Sequence, residues 1–311
     1  MLQMLAQLFL SIDFLIASIR FSTPLLGASL GEIISERAGV VNVGLEGMML
    51  VGALAAVIGS YATGDPWVGL LAAIAAGTLL ALIQAFFSVT LAVNQVVVGM
   101  ALNIGSSGLT IFIYRLLFGL VDKPQVAGFA PIKLPVLSSL PVIGPLLFSH
   151  SILVYLTYLL VPLVAVVLMR TEWGLKLRSV GEHPEAAASV GISVGGIRYV
   201  AVLLCGAFAG MAGSFFSLVQ LNTFVEGMTG GRGYIALAVV IVGKWLPRRA
   251  LLVALLFGAL DAIALRTQAL ALGLPYQLLL ALPYLVTLLV YAGVVGQARS
   301  PAALAQPFIR D

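Results

Sequence analysis

An all-α polytopic membrane protein is the fold this sequence predicts, and three observations predict it. Hydrophobic residues fill 61% of its 311 positions and charged residues only 9%. The mean hydropathy, +1.13, belongs to membrane proteins rather than to water-soluble chains. Apolar runs also recur along the chain, most of them near the roughly 20 residues a helix needs to cross hydrocarbon. The chain, 1–311, reads as a single transmembrane domain.

Taken in order, the spans fall near residues 8–35, 43–62, 67–92, 95–119, 151–169, 198–220, 233–246, 250–270 and 276–296. That makes about nine, within a range of eight to ten. Arg20 interrupts the first, and a break there would make ten. The seventh is short and starts beside the Gly-rich residues 227–233, as a broken or partial helix would. The run Met1–Ile19 has no basic flank and no small-residue cleavage site, so it reads as membrane span rather than signal peptide.

Short loops rich in Lys and Arg face the cytoplasm. Arg37, Arg170, Lys176, Arg178, Arg198, Lys244, Arg248, Arg249, Arg299 and Arg310 collect on one side, against Lys123, Lys133 and Arg232 on the other. This places the polar segment 170–198 and the C-terminus in the cytoplasm, and the Pro-rich loop 120–150 outside. Spans one to four and six to nine would then run in opposite senses. Each set has a Gly-rich turn after its first span, at 38–50 and 225–237. Inverted repeats of this kind place a substrate path at the repeat interface.

Several functions are excluded. The net charge of +4 comes from scattered groups with no basic stripe to track phosphates, so nucleic acid is not a partner. Cys205 stands alone in an apolar span and reads as a small buried side chain. His150 and His183 are far apart, and no metal-ligand spacing is present. No set of paired acids and histidines at one depth suggests catalysis, so there are no catalytic residues.

The segment Arg170–Arg198 is the polar exception. Pro184 suits the first position of a helix, Glu185 its positive end, and Ala186, Ala187 and Ala188 its body. Gly191 supplies a left-handed stop, with Ile192 behind it. The spacing predicts a small-faced two-turn helix that plugs into a partner's socket. Its docking residues would be Gly181, Glu182, Pro184, Glu185, Ala186, Ala187, Gly191 and Ile192.

Polar groups within spans usually face protein or water. Asn94, Gln95 and Asn103 share one segment, with Asn103 about two turns deeper than the others. Its amide either lines a path for a neutral polar substrate or bonds a neighbouring helix. Asn42 and Glu46, in the first Gly-rich turn, are the other candidates for the path. Glu32, Glu36 and Arg37 just before them form either a gate or an ion-pair cluster. Asp261 and Arg266, five residues apart, should find separate partners. Gly206, Gly210 and Gly213 allow helices to pack closely. Tyr234, Tyr276 and Tyr284 read singly as interfacial tyrosines, with stacking on a substrate ring as the alternative.

Glu185-Ala186-Ala187, followed by Gly191-Ile192, resembles the cytoplasmic coupling segment, or EAA loop, of ABC-importer permeases. Four further motifs are similar to the branch that imports nucleosides and simple sugars, grouped with branched-chain amino-acid permeases. They are GEIISERAGVVNVGLEGMML at 31–50, NQVVVGMALN at 94–103, GRGYIALAVVIVGKW at 231–245 and PYQLLLALPYLVTLLV at 275–290. Together they cover nearly the whole chain and stand nearest the nucleoside group.

The resemblance implies a permease pair in a bacterial plasma membrane, commonly of two different subunits. It implies two copies of a cytoplasmic ATPase that uses ATP and Mg, and an external binding protein that delivers substrate. This chain would bind no cofactor itself: Gly243-Lys244 is followed by Trp245, which lacks the hydroxyl a phosphate loop needs. A permease for a simple sugar such as a pentose is the nearest alternative. An ion-coupled secondary transporter is a further one, and it would leave the segment 170–198 without a purpose.

Overall fold

The computed structural model describes residues 11–119, 124–132, 143–269, 281, 285–286 and 299–308. Among these the protein is helical, with no β-strand. The helices are α1 (Ile12–Arg37), α2 (Leu45–Thr63), α3 (Pro66–Ala85), α4 (Gln95–Phe118), α5 (Ile143–Phe148) and α6 (Ile152–Arg170), then α7 (Glu172–Glu182), α8 (Pro184–Ser189), α9 (Val194–Phe215), α10 (Arg232–Val242) and α11 (Pro247–Ala269). Wide π turns extend α3 through Phe86–Thr90 and α9 through Phe216–Gln220.

Local chemistry marks the starts. Ser11 Oγ accepts from Phe14 N at 3.3 Å before α1. Asp65 Oδ1 accepts from Trp67 N at 2.9 Å, with Pro66 at the first position of α3.

Seven of these helices are long and apolar enough to cross a membrane. Helix α1 runs unbroken past Arg20 and Pro24, so the split that would make ten spans is not formed. The expected seventh span is α10, whose 11 residues reach only about 16 Å, too short to cross. Apart from residues 281, 285 and 286, the ninth span and its motif at 275–290 lie outside the described residues, as do Tyr276, Tyr284, Lys123, Lys133 and Arg310.

Helix α9 is the centre of the bundle and packs on α1, α2 and α3. Glycine makes that possible. A Cβ on Gly210 would run into the Ala73 carbonyl, and one on Gly213 into the Met49 carbonyl. Lipid gives helices no hydrophobic reason to associate, so backbone contact of this closeness supplies the packing that holds them.

One end of the bundle is crossed by residues 124–132 of the loop expected outside. Val126 N donates to Asn222 O at 2.9 Å, Phe129 N to Leu218 O at 2.8 Å and Ser60 Oγ to Ala127 O at 2.7 Å. Helices α7 and α8 and residues 299–308 gather at the other end.

Candidate functional site: a mid-depth junction and a coupling segment

Glu46 lies in the first turn of α2, and its carboxylate reaches the start of α10. It accepts from Thr229 Oγ1 at 2.5 Å, Gly231 N at 2.8 Å and Gly233 N at 2.6 Å. Gly231 caps α10 at φ +82, a left-handed conformation that glycine adopts without strain. A Cβ on Gly233 would stand 2.5 Å from Glu46 Cα, so the two helix starts touch. The two Gly-rich turns that the sequence pairs therefore meet in space. Two helix N-termini bring like partial charges together, and the Glu46 carboxylate supplies the negative charge both favour.

The junction is deep. Arg232 stands about 16 Å up α10 from the turn at Gly243, and Asp261 about 21 Å along α11 from Pro247. Counted from those turns, the two levels fall roughly half to two thirds of the way across a hydrocarbon layer about 30 Å thick. Arg232, expected on the outer face, is thus at mid-depth, because α10 is too short to carry it across. Its Nε lies 3.5 Å from Asp261 Oδ2, and its guanidinium sits over the Phe216 ring at 5.3 Å. Arg266 instead donates to Ser11 Oγ at 2.8 Å and covers the Phe14 ring at 5.6 Å. Asp261 and Arg266 do take separate partners.

Asn103 belongs to the same junction. Its Nδ2 donates to Val43 O at 2.8 Å and Tyr234 Oη at 2.9 Å, while Oδ1 accepts from Gly47 N at 2.8 Å. Both amide protons are spent on the protein, so Asn103 ties α4 to α2 and α10. The Tyr234 ring stays 38% exposed beside Met100.

The other predicted path residues are placed differently. Asn94 is the cap of α4, its Oδ1 accepting from Val96 N and Val97 N at 3.0 and 3.2 Å. Gln95 is buried and accepts from Val41 N at 2.8 Å. Asn42 is fully buried, its N donating to Glu32 Oε1 at 2.8 Å and its Nδ2 to the sulfurs of Met48 and Cys205.

Cys205 is itself buried and donates to Glu32 Oε2 at 3.2 Å. Glu36 accepts from Trp245 Nε1, and Arg37 Nε donates to Trp245 O at 3.2 Å. The ion-pair cluster considered for Glu32, Glu36 and Arg37 is not formed: the described residues hold no salt bridge there. Arg37 turns towards the α10–α11 connection, whereas the carboxylates point at α9 and the Trp245 ring.

The coupling segment is two helices rather than one. Thr171 Oγ1 accepts from Gly174 N at 3.1 Å to start α7, and Pro184 opens α8. Gly191, at φ +84, ends α8. Gly191 N donates to Ala188 O and Ile192 N to Ala187 O, both at 3.0 Å, which is a Schellman closure.

The adjacent alanines face opposite ways. Ala187 is 3% exposed and packs with Val180 and Val194 of its own chain, whereas Glu185 and Ala186 face outward. Gly181 is pressed on the Arg37 carbonyl, where no Cβ would fit.

Beneath α8 lies a strap that sequence reasoning missed. Ala303 N donates to Gly181 O at 2.9 Å, Ala305 N to Gly39 O at 3.1 Å and Ala302 N to Glu182 Oε2 at 3.3 Å. Buried Arg198 donates to Gln306 O at 2.9 Å. Residues 301–306 carry no motif, and only the contacts reveal them.

A family model for the permease component of branched-chain amino acid transport systems matches residues 14–291. The chain belongs to this permease family. A putative glucose ABC transporter permease of Haloferax volcanii is 40% identical, over 95% of this chain and 97% of that protein. The guanosine ABC transporter permease NupQ of Bacillus subtilis is 37% identical, over 94% and 95% of the two chains. The nucleoside ABC transporter permease NupC of Lactococcus lactis is 34% identical over the same shares, 94% and 95%. No solved structure matches the chain. The protein is thus a multi-pass membrane permease of ABC type, in the branch its motifs resemble.

Proposed function

We propose that this permease imports nucleosides, driven by a separate cytoplasmic ATPase that pushes on α8. The observation that carries the reading is the way α8 is mounted. Its outward face is small, with Ala186 beside Glu185, while its inward face is seated through Ala187 on Val180 and Val194. Gly181 abuts the end of α1, and α9 begins just after the helix. A push on α8 would therefore move α1 and α9 as one body, and these helices reach the mid-depth junction.

ATP and Mg would bind the partner ATPase, with this chain holding no cofactor. A second permease subunit would complete the path, as the two guanosine permease proteins of Bacillus subtilis suggest. An external binding protein would meet the end covered by residues 124–132. The positive-inside rule supports a cytoplasmic position for α7 and α8 in the plasma membrane. Tyr234, partly exposed in the junction, suits stacking on a base. A simple sugar is the second reading, favoured by the Haloferax volcanii relative.

The test is Ala186→Arg in the assembled complex. Uptake and substrate-stimulated ATP hydrolysis should both be abolished with membrane insertion intact; normal uptake would sink the docking claim. Uptake of labelled guanosine, with unlabelled glucose as competitor, separates the cargoes. Guanosine uptake driven by an ion gradient without any ATPase would overturn the mechanism.

A further inference from the structure

We propose that an anionic phospholipid occupies the cleft between the end of α6 and the start of α11. The cleft holds about 630 Å³, with Met169 and Leu246 in its wall and Arg170, Arg248 and Arg249 at its rim. Among the described residues no carboxylate lines it, and none of the three arginines is in a salt bridge.

What lies below the arginines decides the ligand. On α6, Leu159, Leu163 and Val166 are 67%, 54% and 52% exposed, and their spacing continues to Arg170 on the same helical face. On α11 the order is mirrored: Arg249 is followed by Leu252 and Leu256, 66% and 42% exposed, again on one face. Helices α6 and α11 pack together. Two apolar stripes therefore descend side by side from one basic rim.

A two-chain amphipath matches that pattern. Its phosphate would meet the guanidiniums, which bind such oxygens in paired hydrogen bonds, and its acyl chains would lie along the stripes. A soluble anion would use the arginines and leave the stripes bare. An apolar helix would cover the stripes and leave three cations without a counter-charge. Basic pockets between membrane helices at the cytoplasmic boundary take acidic headgroups for the same reason. Arg170 runs directly into Thr171, the cap of α7, so the lipid would also steady the root of the coupling segment.

The experiment is native mass spectrometry of the purified complex, titrated with phosphatidylglycerol or with phosphatidylcholine of the same chain length. Wild type should retain phosphatidylglycerol preferentially. The triple variant R170Q/R248Q/R249Q should bind it roughly a hundredfold more weakly, and R170K/R248K/R249K should keep most of the preference. Excess glycerol phosphate should fail to displace the lipid, since it has no tails for the stripes. Equal retention by wild type and the glutamine variant overturns the proposal. So does displacement by glycerol phosphate, or a glutamine variant that loses the ATPase while keeping the lipid. If the triple variant does not assemble, R248Q alone carries the test: weakened retention supports the site and unchanged retention overturns it.

Discussion

Helices α9 and α4 are both apolar enough to cross a membrane, yet 72% of the α9 window is buried and only 28% of the α4 window. Their buried faces differ in kind. Helix α9 buries Gly206, Gly210, Gly213 and neighbouring alanines, which let backbones touch. Helix α4 buries Gln95, Asn103, Ser106, Thr110 and Tyr114, and presents Val97, Ile104, Phe112 and Leu116 outward. In water the second arrangement would be inside out. In lipid, or against another membrane subunit, the apolar face is the compatible one, and polar groups mark the interior. The two spans thus lean on different means, α9 on backbone contact through glycine and α4 on polar side chains such as Asn103, with Gly99 pressed on Gly44.

The largest effect that tests this comparison is expected at Gly213. Gly213→Val drives a Cβ with two methyls into the Met49 carbonyl, and backbone has little room to yield. Almost no monodisperse protein should survive detergent extraction and size-exclusion chromatography. Gly108→Val on α4 meets nothing within 4 Å and should leave the single chain intact. Equal survival of the two variants would break the comparison. If a second permease packs on α4, Gly108→Trp should reduce co-purification of that subunit while the chain itself stays folded.

Asn103→Leu comes next. It strips partners from Gly47 N, Val43 O and Tyr234 Oη, at a cost of about 2–4 kcal/mol. A Tm several degrees lower should follow, whereas Ile104→Ala on the exposed side should cost less than about 1 kcal/mol. A reversed order would mean that α4 is held by its apolar face instead.

The smallest effect concerns the exposed pair Arg115–Glu226, 2.8 Å apart, which ties the end of α4 to the loop after α9. The hydrogen bond from Arg115 holds the Glu226 carboxyl below the usual carboxylate range. A lowered folded pKa stabilises above the ordinary carboxylate pKa and is lost as pH falls through the lowered value. Unfolding midpoints should be flat from neutral to mildly acid pH, then fall. Glu226→Gln should remove that part of the acid dependence.

Much of the coupling segment was legible because its signals are local. Pro184, Glu185 and Gly191 act on their own helix ends, and α8 starts and stops where they stand. Helix α7 was harder, since its polar surface conceals a buried side of Leu177, Val180 and Gly181 that packs only after folding. The contrast between Ala186 and Ala187 was invisible, because identical neighbours differ only in which way the helix turns them. The same holds for Glu46, an ordinary acid in a Gly-rich turn until Thr229, Gly231 and Gly233 arrive from the far half of the chain.

By itself the sequence determined that this is a helical membrane protein, where most of its spans lie, which segment is polar, and which permease family its motifs resemble. These follow from composition, from the length of helix that hydrocarbon demands, and from end signals that act within a turn. Tertiary structure alone decided that α10 stops at mid-depth, that Glu46 joins two helix starts, that Asn103 spends its amide on the protein, and that residues 301–306 strap the coupling segment. The reason is physical. Each is a contact between groups distant in sequence, and no local preference records which donor a buried acceptor will meet.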